Sequence, residues 1–371
     1  MKKAVLVSCF DWYDKRLKYI EKYLKHQGYI VDVISSDYDH IKKETILKKE
    51  NIKYIEVIHY KKNMSIRRIL SHYLFAREVS KIVKENDYDL VYALVPPNFV
   101  SSKLSRLKNK KNFKLIFDII DLWPENMPIQ KLKNTFPFKY WRNLRNRGLR
   151  VADKIVLECD YYRQYLPRDI NHKKVNIFYL VKESNIFFDK HASFDGKNVK
   201  LAYLGSINSI LDIDKIIDVV KILLSKYQVH IKIIGKGSKE KEFINRLESV
   251  GARVEFYGSI FDEQKIYNIF KDCHFGLNIY KQTTEIGLTI KSIDYLSYGL
   301  PLLNSIKGDT YNLVDKEKIG LNIDNLTLIK INDELEKSEI KQSKVRNVYN
   351  KLFDAKHIYQ RINYIFNIGN K

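Results

Sequence analysis

The segment Glu285–Pro301 reads EIGLTIKSIDYLSYGLP, and its residue types suit the grip of a nucleoside diphosphate. Gly287, Leu288 and Thr289 lead into a predicted helix start. There, free N–H groups and the positive end of the dipole attract phosphate. Thr289 offers a hydroxyl and Lys291 a point charge. Asp294 follows three residues later, on a neighbouring helix face. Its carboxylate can accept hydrogen bonds from two ribose hydroxyls. Gly299 and Pro301 then end the helix. An ordinary amphipathic helix with a surface lysine–aspartate pair fits the same pattern.

A second cluster lies at Phe117–Glu125, FDIIDLWPE. It follows an apolar run that reads as a strand. Asp121 or Glu125 can orient or deprotonate an acceptor hydroxyl. The alternative is a structural turn, broken by Pro124 and anchored by Trp123. From Asn126 to Ala152 no acidic residue occurs, while seven basic ones do, from Lys131 to Arg150. Aromatic residues interleave with them. Lys139, Trp141, Arg142 and Arg145 are the expected contacts to an anionic membrane surface. A solvated helix face and a nucleic acid interface are the other readings.

The elements that must carry these residues are legible as alternating β-branched runs and stretches of helical period, the pattern of parallel strands with crossover helices. Strands are predicted in the first half at Lys3–Cys9, Ile30–Ser35, Lys53–Ile58, Leu90–Val95, Lys114–Ile119, Lys154–Glu158 and Val175–Tyr179. The second half restarts the pattern at Val199–Leu204, Val229–Ile234, Arg253–Tyr257, Phe275–Ile279 and Leu302–Asn304. Helices are predicted at Tyr13–His26, Ile66–Glu85, Ile213–Lys226, Lys239–Val250, Asp262–Lys271 and Thr289–Tyr298. The fold class is therefore α/β, with two Rossmann-like, doubly wound parallel-sheet domains. The expected boundaries are 1–182, a polar linker at 183–198, then 199–343. A terminal helix at 344–371 is expected to pack back on the first domain. Ligands of such sheets sit beyond the carboxyl ends of the strands, so a cleft shared by two facing sheets is the expected site.

At 371 residues, 45% hydrophobic and 30% charged, the chain suits a folded protein rather than a disordered one. Cys9, Cys159 and Cys273 form no CxxC pair, which argues against a disulfide framework or a structural zinc. The histidines show no metal-binding spacing, so no metal or cofactor is expected. No window of roughly 18 apolar residues suggests a membrane span. The net charge of +22 favours anionic partners, and the expected location is cytoplasmic, peripheral on the inner face of the plasma membrane.

Taken together, these motifs resemble the nucleotide-sugar glycosyltransferases of the GT-B fold. The nearest pattern is that of bacterial capsular and exopolysaccharide transferases, which are glycosyltransferase family 4-like. Lys291, Asp294 and the Tyr-Leu that follows, ahead of Gly299-Leu-Pro301, match that branch, with Asp294 in place of the family's second glutamate. Glu285, the counterpart of the donor-sugar residue, lies one position upstream of the common spacing. Gly205 and Ser206 resemble the first phosphate loop, although the usual arginine and lysine are absent there. Lys236 lies in a turn like the family's Gly-x-Gly, and Tyr257, Gly258 and Ile260 lie in the strand that presents backbone to the base. Asp121 to Glu125 resemble an acceptor-side motif. The resemblance implies a UDP-sugar donor, a lipid-linked glycan acceptor, metal-independent transfer with retention, and a role in surface polysaccharide synthesis. A sugar-nucleotide epimerase on the same fold is the first rival. A basic nucleic-acid-binding protein is the second, though no recognition module is visible and no nucleic acid partner is expected.

Overall fold

The computed structural model describes residues 1–10, 14–127, 132–184, 186, 192–283 and 285–366. Tyr13, Lys131 and linker positions 185 and 187–191 lie outside them. The chain divides into two compact units, one built from Met1–Leu180 and the helix Ile358–Phe366, the other from Val181–His357.

The first unit holds a parallel sheet of β1 (Lys2–Ser8), β2 (Tyr29–Ser36), β3 (Lys53–Ile55), β4 (Leu90–Val95), β5 (Lys114–Ile119), β6 (Lys154–Leu157) and β7 (Val175–Ile177). Their order is β3-β2-β1-β4-β5-β6-β7. Every residue of β4 is buried, as expected for a strand covered on both faces. The chain winds outward from β1 to β3, then returns to place β4 on the other side of β1. This reversal opens a crevice at the carboxyl ends of β1 and β4. Helices α1 (Asp14–His26), α2 (Ile66–Glu85), α3 (Asn98–Lys108) and α4 (Phe136–Val151) complete the layers. Ser65 caps α2 by accepting from the Arg68 N–H at 3.3 Å.

The second unit repeats the scheme with β8 (Asn198–Leu204), β9 (Gln228–Ile234), β10 (Arg253–Phe256), β11 (Phe275–Asn278), β12 (Leu302–Asn304) and β13 (Gly320–Asn322), in the order β10-β9-β8-β11-β12-β13. All its pairings are parallel, and its switch point lies between β8 and β11. Helices α5 (Ile213–Leu224), α6 (Glu240–Ser249), α7 (Glu263–Phe270), α8 (Ile290–Ser297), α9 (Asp309–Glu317), α10 (Leu328–Glu336) and α11 (Ser338–Leu352) surround it. Valine, isoleucine and leucine from β8, β9 and α5 form its core, with Tyr203 and Phe243 edge-to-face at 5.2 Å.

The terminal helix expected from 344 onward is two helices. Phe353 is buried and a 3-10 turn at Ala355–His357 follows it. Beyond the turn comes α12 (Ile358–Phe366), which lies on α1 through a 2.8 Å hydrogen bond from the Tyr23 hydroxyl to Asn363 and stacking of Tyr23 on Phe366. Among the described residues no helix is long and apolar enough to cross a membrane.

Helix α4 approaches α3 closely at Gly148. A Cβ there would fall 2.0 Å from Ser101 Oγ and 2.7 Å from the Ser101 carbonyl oxygen. Alanine is normally the better helix residue by about 1 kcal/mol. Here Gly148→Ala is expected instead to lose about 1–3 kcal/mol through overpacking. Urea denaturation reads the sign directly.

Candidate active site

The loop after β8 is built by glycines that only a missing side chain permits. Gly205 has φ of +112°, which favours glycine, and its N–H donates to Ile234 O at 2.8 Å. Gly235, at the end of β9, presses so closely that a Cβ would lie 2.0 Å from Gly205 O. The Ile207 N–H donates to Lys236 O at 3.0 Å, locking the two loops together. The Gly235 N–H in turn donates to Gly258 O at 2.7 Å. Gly205, Ser206, Lys236 and Gly258, chosen from separate motifs, thus stand in one contiguous rim. Ser206 and Lys236 are exposed, Gly258 and Ile260 half-exposed, and the Tyr257 hydroxyl donates to Glu255 at 2.7 Å.

Helix α8 meets this rim through its first turn. Thr289 is its N-cap, accepting from the Ser292 N–H at 3.0 Å. Its hydroxyl is also 2.8 Å from Ser292 Oγ. Gly287 and Leu288 are buried, and the Gly287 carbonyl accepts both the N–H and the hydroxyl of Thr310 at 2.9 and 2.8 Å. These bonds fix the approach to α8.

Lys291 extends across Gly205, where a Cβ would lie 2.2 Å from its Cε. Its Nζ donates to the Tyr203 hydroxyl at 3.2 Å and sits 4.9 and 5.2 Å from the rings of Tyr203 and Tyr280. It makes no ion pair with a described residue. Burial pulls its pKa down to about 8, opposed by the charge of Asp294.

Asp294 is held differently. Its Oδ1 pairs with Lys182, which also lies 3.2 Å from Glu263. Burial raises the Asp294 carboxyl and the Lys182 ammonium opposes the shift. Oδ2 takes no hydrogen bond from a described residue. Lys182, expected at the edge of the first domain, therefore serves the second unit. Glu285 is half-buried in the loop before α8.

Two features here escaped sequence reading. The Tyr295 hydroxyl accepts the Leu204 N–H at 2.7 Å, and its ring lies 2.6 Å from where a Gly276 Cβ would stand, so it pins α8 to β8 and β11. Side chains of Asn278, Asn304 and Asn322 form a ladder of 2.7 Å bonds across β11, β12 and β13.

In the first unit, Asp121 lies just beyond β5. It accepts from Trp123 Nε1 at 2.6 Å, the Leu122 N–H at 3.1 Å and the Asn126 amide. Desolvation lifts its pKa to about 6 against those bonds. Glu158 lies just beyond the neighbouring β6, and its N–H donates to Ile119 O at 3.1 Å. Burial lifts its carboxyl to about 8, with Asp121 adding to the rise. Sequence reading missed Glu158 because only the strand pairing brings it beside Asp121.

Two expectations are corrected. Glu125 is buried, and its oxygens are occupied by Arg142 Nε at 2.8 Å and by both terminal nitrogens of Arg145 at 2.8 and 3.0 Å. It is a structural anchor and is not placed to take an acceptor proton. Arg145 is fully buried and cannot touch a membrane. Of the other residues expected at the membrane, Lys139 is exposed, while Trp141 and Arg142 are half-buried. Among the described residues, no three histidine, cysteine or carboxylate side chains are grouped to hold a metal.

A close-packed glycine rim stands at the strand ends of a doubly wound sheet. A family model described as Glycosyl transferases group 1 matches residues 198–335, and one described as Glycosyl transferase 4-like matches 10–155. Together they match well over half of the chain, which belongs to these glycosyltransferases, and its fold is GT-B. The chain is similar in fold to sucrose-phosphate synthase from Thermosynechococcus elongatus, with a TM-score of 0.68, 13% identity and coverage of 99% of this chain and 98% of that one. It is similar to the lipopolysaccharide outer core galactosyltransferase WaaB, with a TM-score of 0.64, 15% identity and 99% coverage of both chains. It also resembles Anabaena HepE in complex with UDP-glucose, with a TM-score of 0.62, 14% identity and 98% coverage of both. No curated protein matches the sequence.

The reassignment of Glu125 has a measurable consequence. Glu125→Ala leaves the buried Arg145 without its partner and is expected to lose about 3–5 kcal/mol of stability. A melting temperature equal to the wild type would return Glu125 to the list of reactive carboxylates.

Proposed function

We propose that this glycosyltransferase moves a sugar from a UDP-sugar to a hydroxyl of a lipid-linked glycan at the cytoplasmic membrane face, in surface polysaccharide synthesis. The observation that carries the donor half is the Lys291 ammonium, half-desolvated across Gly205 with no carboxylate among the described residues pairing it. An anionic diphosphate supplies the charge that this position lacks. The α8 N-terminus and the Gly205–Ser206 backbone add dipoles at the same place. Together they stabilise the departing diphosphate without a metal. Asp294 Oδ2 accepts the ribose hydroxyls. HepE, solved with UDP-glucose, supports uridine as the base.

On the acceptor side Asp121, when ionised, accepts a hydrogen bond from the incoming hydroxyl, and Glu158 completes the pair. The resemblance of the Glu285–Pro301 segment supports retention of configuration. WaaB, a lipopolysaccharide outer core transferase, and the acid-free basic face of α4 support a lipid-linked glycan.

Calorimetric titration with UDP tests the donor site. Lys291→Ala is expected to weaken binding about tenfold or more, the value of a charge-assisted hydrogen bond. Asp294→Ala should weaken UDP but leave inorganic diphosphate unchanged. Unaltered UDP affinity in both variants would refute the assignment. Turnover of a UDP-sugar without any acceptor would favour an epimerase.

The pH profile tests the acceptor side. A carboxylate that must be ionised gives a rate that rises with pH through its pKa. The transfer rate is therefore expected to climb through about pH 6, the value for Asp121. Asp121→Asn should lower kcat about 10²–10⁴-fold with UDP affinity intact. A rise centred near pH 8 that survives this substitution would transfer the role to Glu158.

A further inference from the structure

The first turns of α2 and α4 enclose a groove of about 520 Å³, within the range of roughly 300–1,000 Å³ typical of small-ligand sites. Its walls are Met64, Ile69, Phe99, Phe136, Phe138 and Leu144. Its lips are unusually apolar for a surface: Ile66 is 77% exposed and Phe136 80%. A contiguous exposed apolar patch of this kind marks an interaction site.

The floor is polar and unsatisfied. Arg68 and His72 line it and are 8% and 1% exposed. Arg68 Nε, both His72 ring nitrogens and Trp141 Nε1 lack a hydrogen-bond partner. The Arg68 guanidinium is held over the Trp123 ring at 4.4 Å and donates to Asn63 O at 3.0 Å. It forms no ion pair with a described carboxylate, and Asp121 feels it only at longer range. A buried, unpaired guanidinium is costly. Burial and the Arg68 charge together push the His72 imidazole well below its ordinary range, towards the neutral form.

The rim is cationic. Neither 57–77 nor 126–152 contains an acidic residue, while Lys61, Lys62, Arg67 and Lys139 are exposed. The methionine, isoleucine, leucine and phenylalanine walls offer no group to hydrogen-bond the edge of a nucleic acid base. What fits is an apolar chain that ends in a strong anion.

We infer that this groove binds the lipid phosphate end of an amphiphile, with the hydrocarbon along the Met64–Phe136 walls and the phosphate on Arg68, His72 and Trp141. The inference deepens the lipid-linked acceptor proposed above and rests on that reading for its role in transfer. Binding itself can be tested separately.

The test is calorimetric titration of the full chain with monomeric farnesyl phosphate, farnesol and inorganic phosphate, with UDP titrated in parallel. Saturable one-to-one binding of farnesyl phosphate is expected, at least about tenfold tighter than either fragment. Arg68→Gln should weaken it about tenfold or more. Ile66→Glu, at an exposed position that folding tolerates, should weaken it comparably. Both variants should bind UDP like the wild type, which confirms that they are folded. Inorganic phosphate binding as tightly as farnesyl phosphate would overturn the proposal, leaving an anion site only. So would association with phosphatidylglycerol vesicles but not with monomeric farnesyl phosphate. Loss of UDP binding in the wild type would sink the donor assignment and leave the groove standing. UDP binding without farnesyl phosphate binding would do the reverse.

Discussion

The second unit turns on one close approach, the Lys291 side chain lying across Gly205. It requires a glycine with positive φ at the end of β8, because a Cβ would collide with the lysine. It requires Gly235 beside it, where a side chain would strike the Gly205 carbonyl. It also requires α8 to be fixed in height and rotation, which the Thr289 cap and the Tyr295 hydroxyl on the β8 backbone achieve. The outcome is a cation in a partly dry place with aromatic rings around it and, among the described residues, no carboxylate bound to it. That arrangement has little value to a folded chain on its own. In the function proposed above its value comes when an anion arrives, at the switch point between β8 and β11, where ligands of doubly wound sheets sit.

The first unit handles its charges in the opposite way. The basic run of α4 reads in sequence as one continuous surface. Folding splits it, turning Arg145 inward onto Glu125 and leaving Lys139 outward. The buried pair closes α4 over the strand ends, while Gly148 lets α3 come close behind it. Asp121 and Glu158 then stand at adjacent strand ends, both shifted upward by burial. Arg68, delivered from α2, has no ion pair with a described carboxylate and donates to Asn63 O. One unit thus presents a cation, Lys291, at its strand ends. The other presents carboxylates there and a cation beneath an apolar groove.

Much of this was legible beforehand. Strands such as Leu90–Val95, Lys114–Ile119 and Leu302–Asn304 match their expected limits because buried parallel strands read as near-continuous apolar runs, with few polar residues among them. Gly205, Lys291 and Asp294 stand out through the family resemblance of their motifs, and the structure brings Gly205 and Lys291 into contact. What escaped was whatever depends on residues remote in sequence. The burial of Arg145 follows from Glu125, 20 residues earlier. Glu158 matters only through the β5–β6 pairing, and Lys182 only through Asp294, 112 residues away. Helix α3 carries three serines, which weaken its helical signal, and Gly320–Asn322 is too short a strand to show a period.

The central claim is that the buried Lys291 ammonium receives the diphosphate. Burial holds its pKa near 8, so at pH 8 about half the molecules lack that proton, and a bound dianion raises the pKa and restores it. Titration of UDP at pH 8 in buffers of different ionisation enthalpy therefore measures the claim itself. The account predicts uptake of about half a proton on binding, abolished in Lys291→Met. Uptake that is absent from the wild type, or equal in the two proteins, would contradict it.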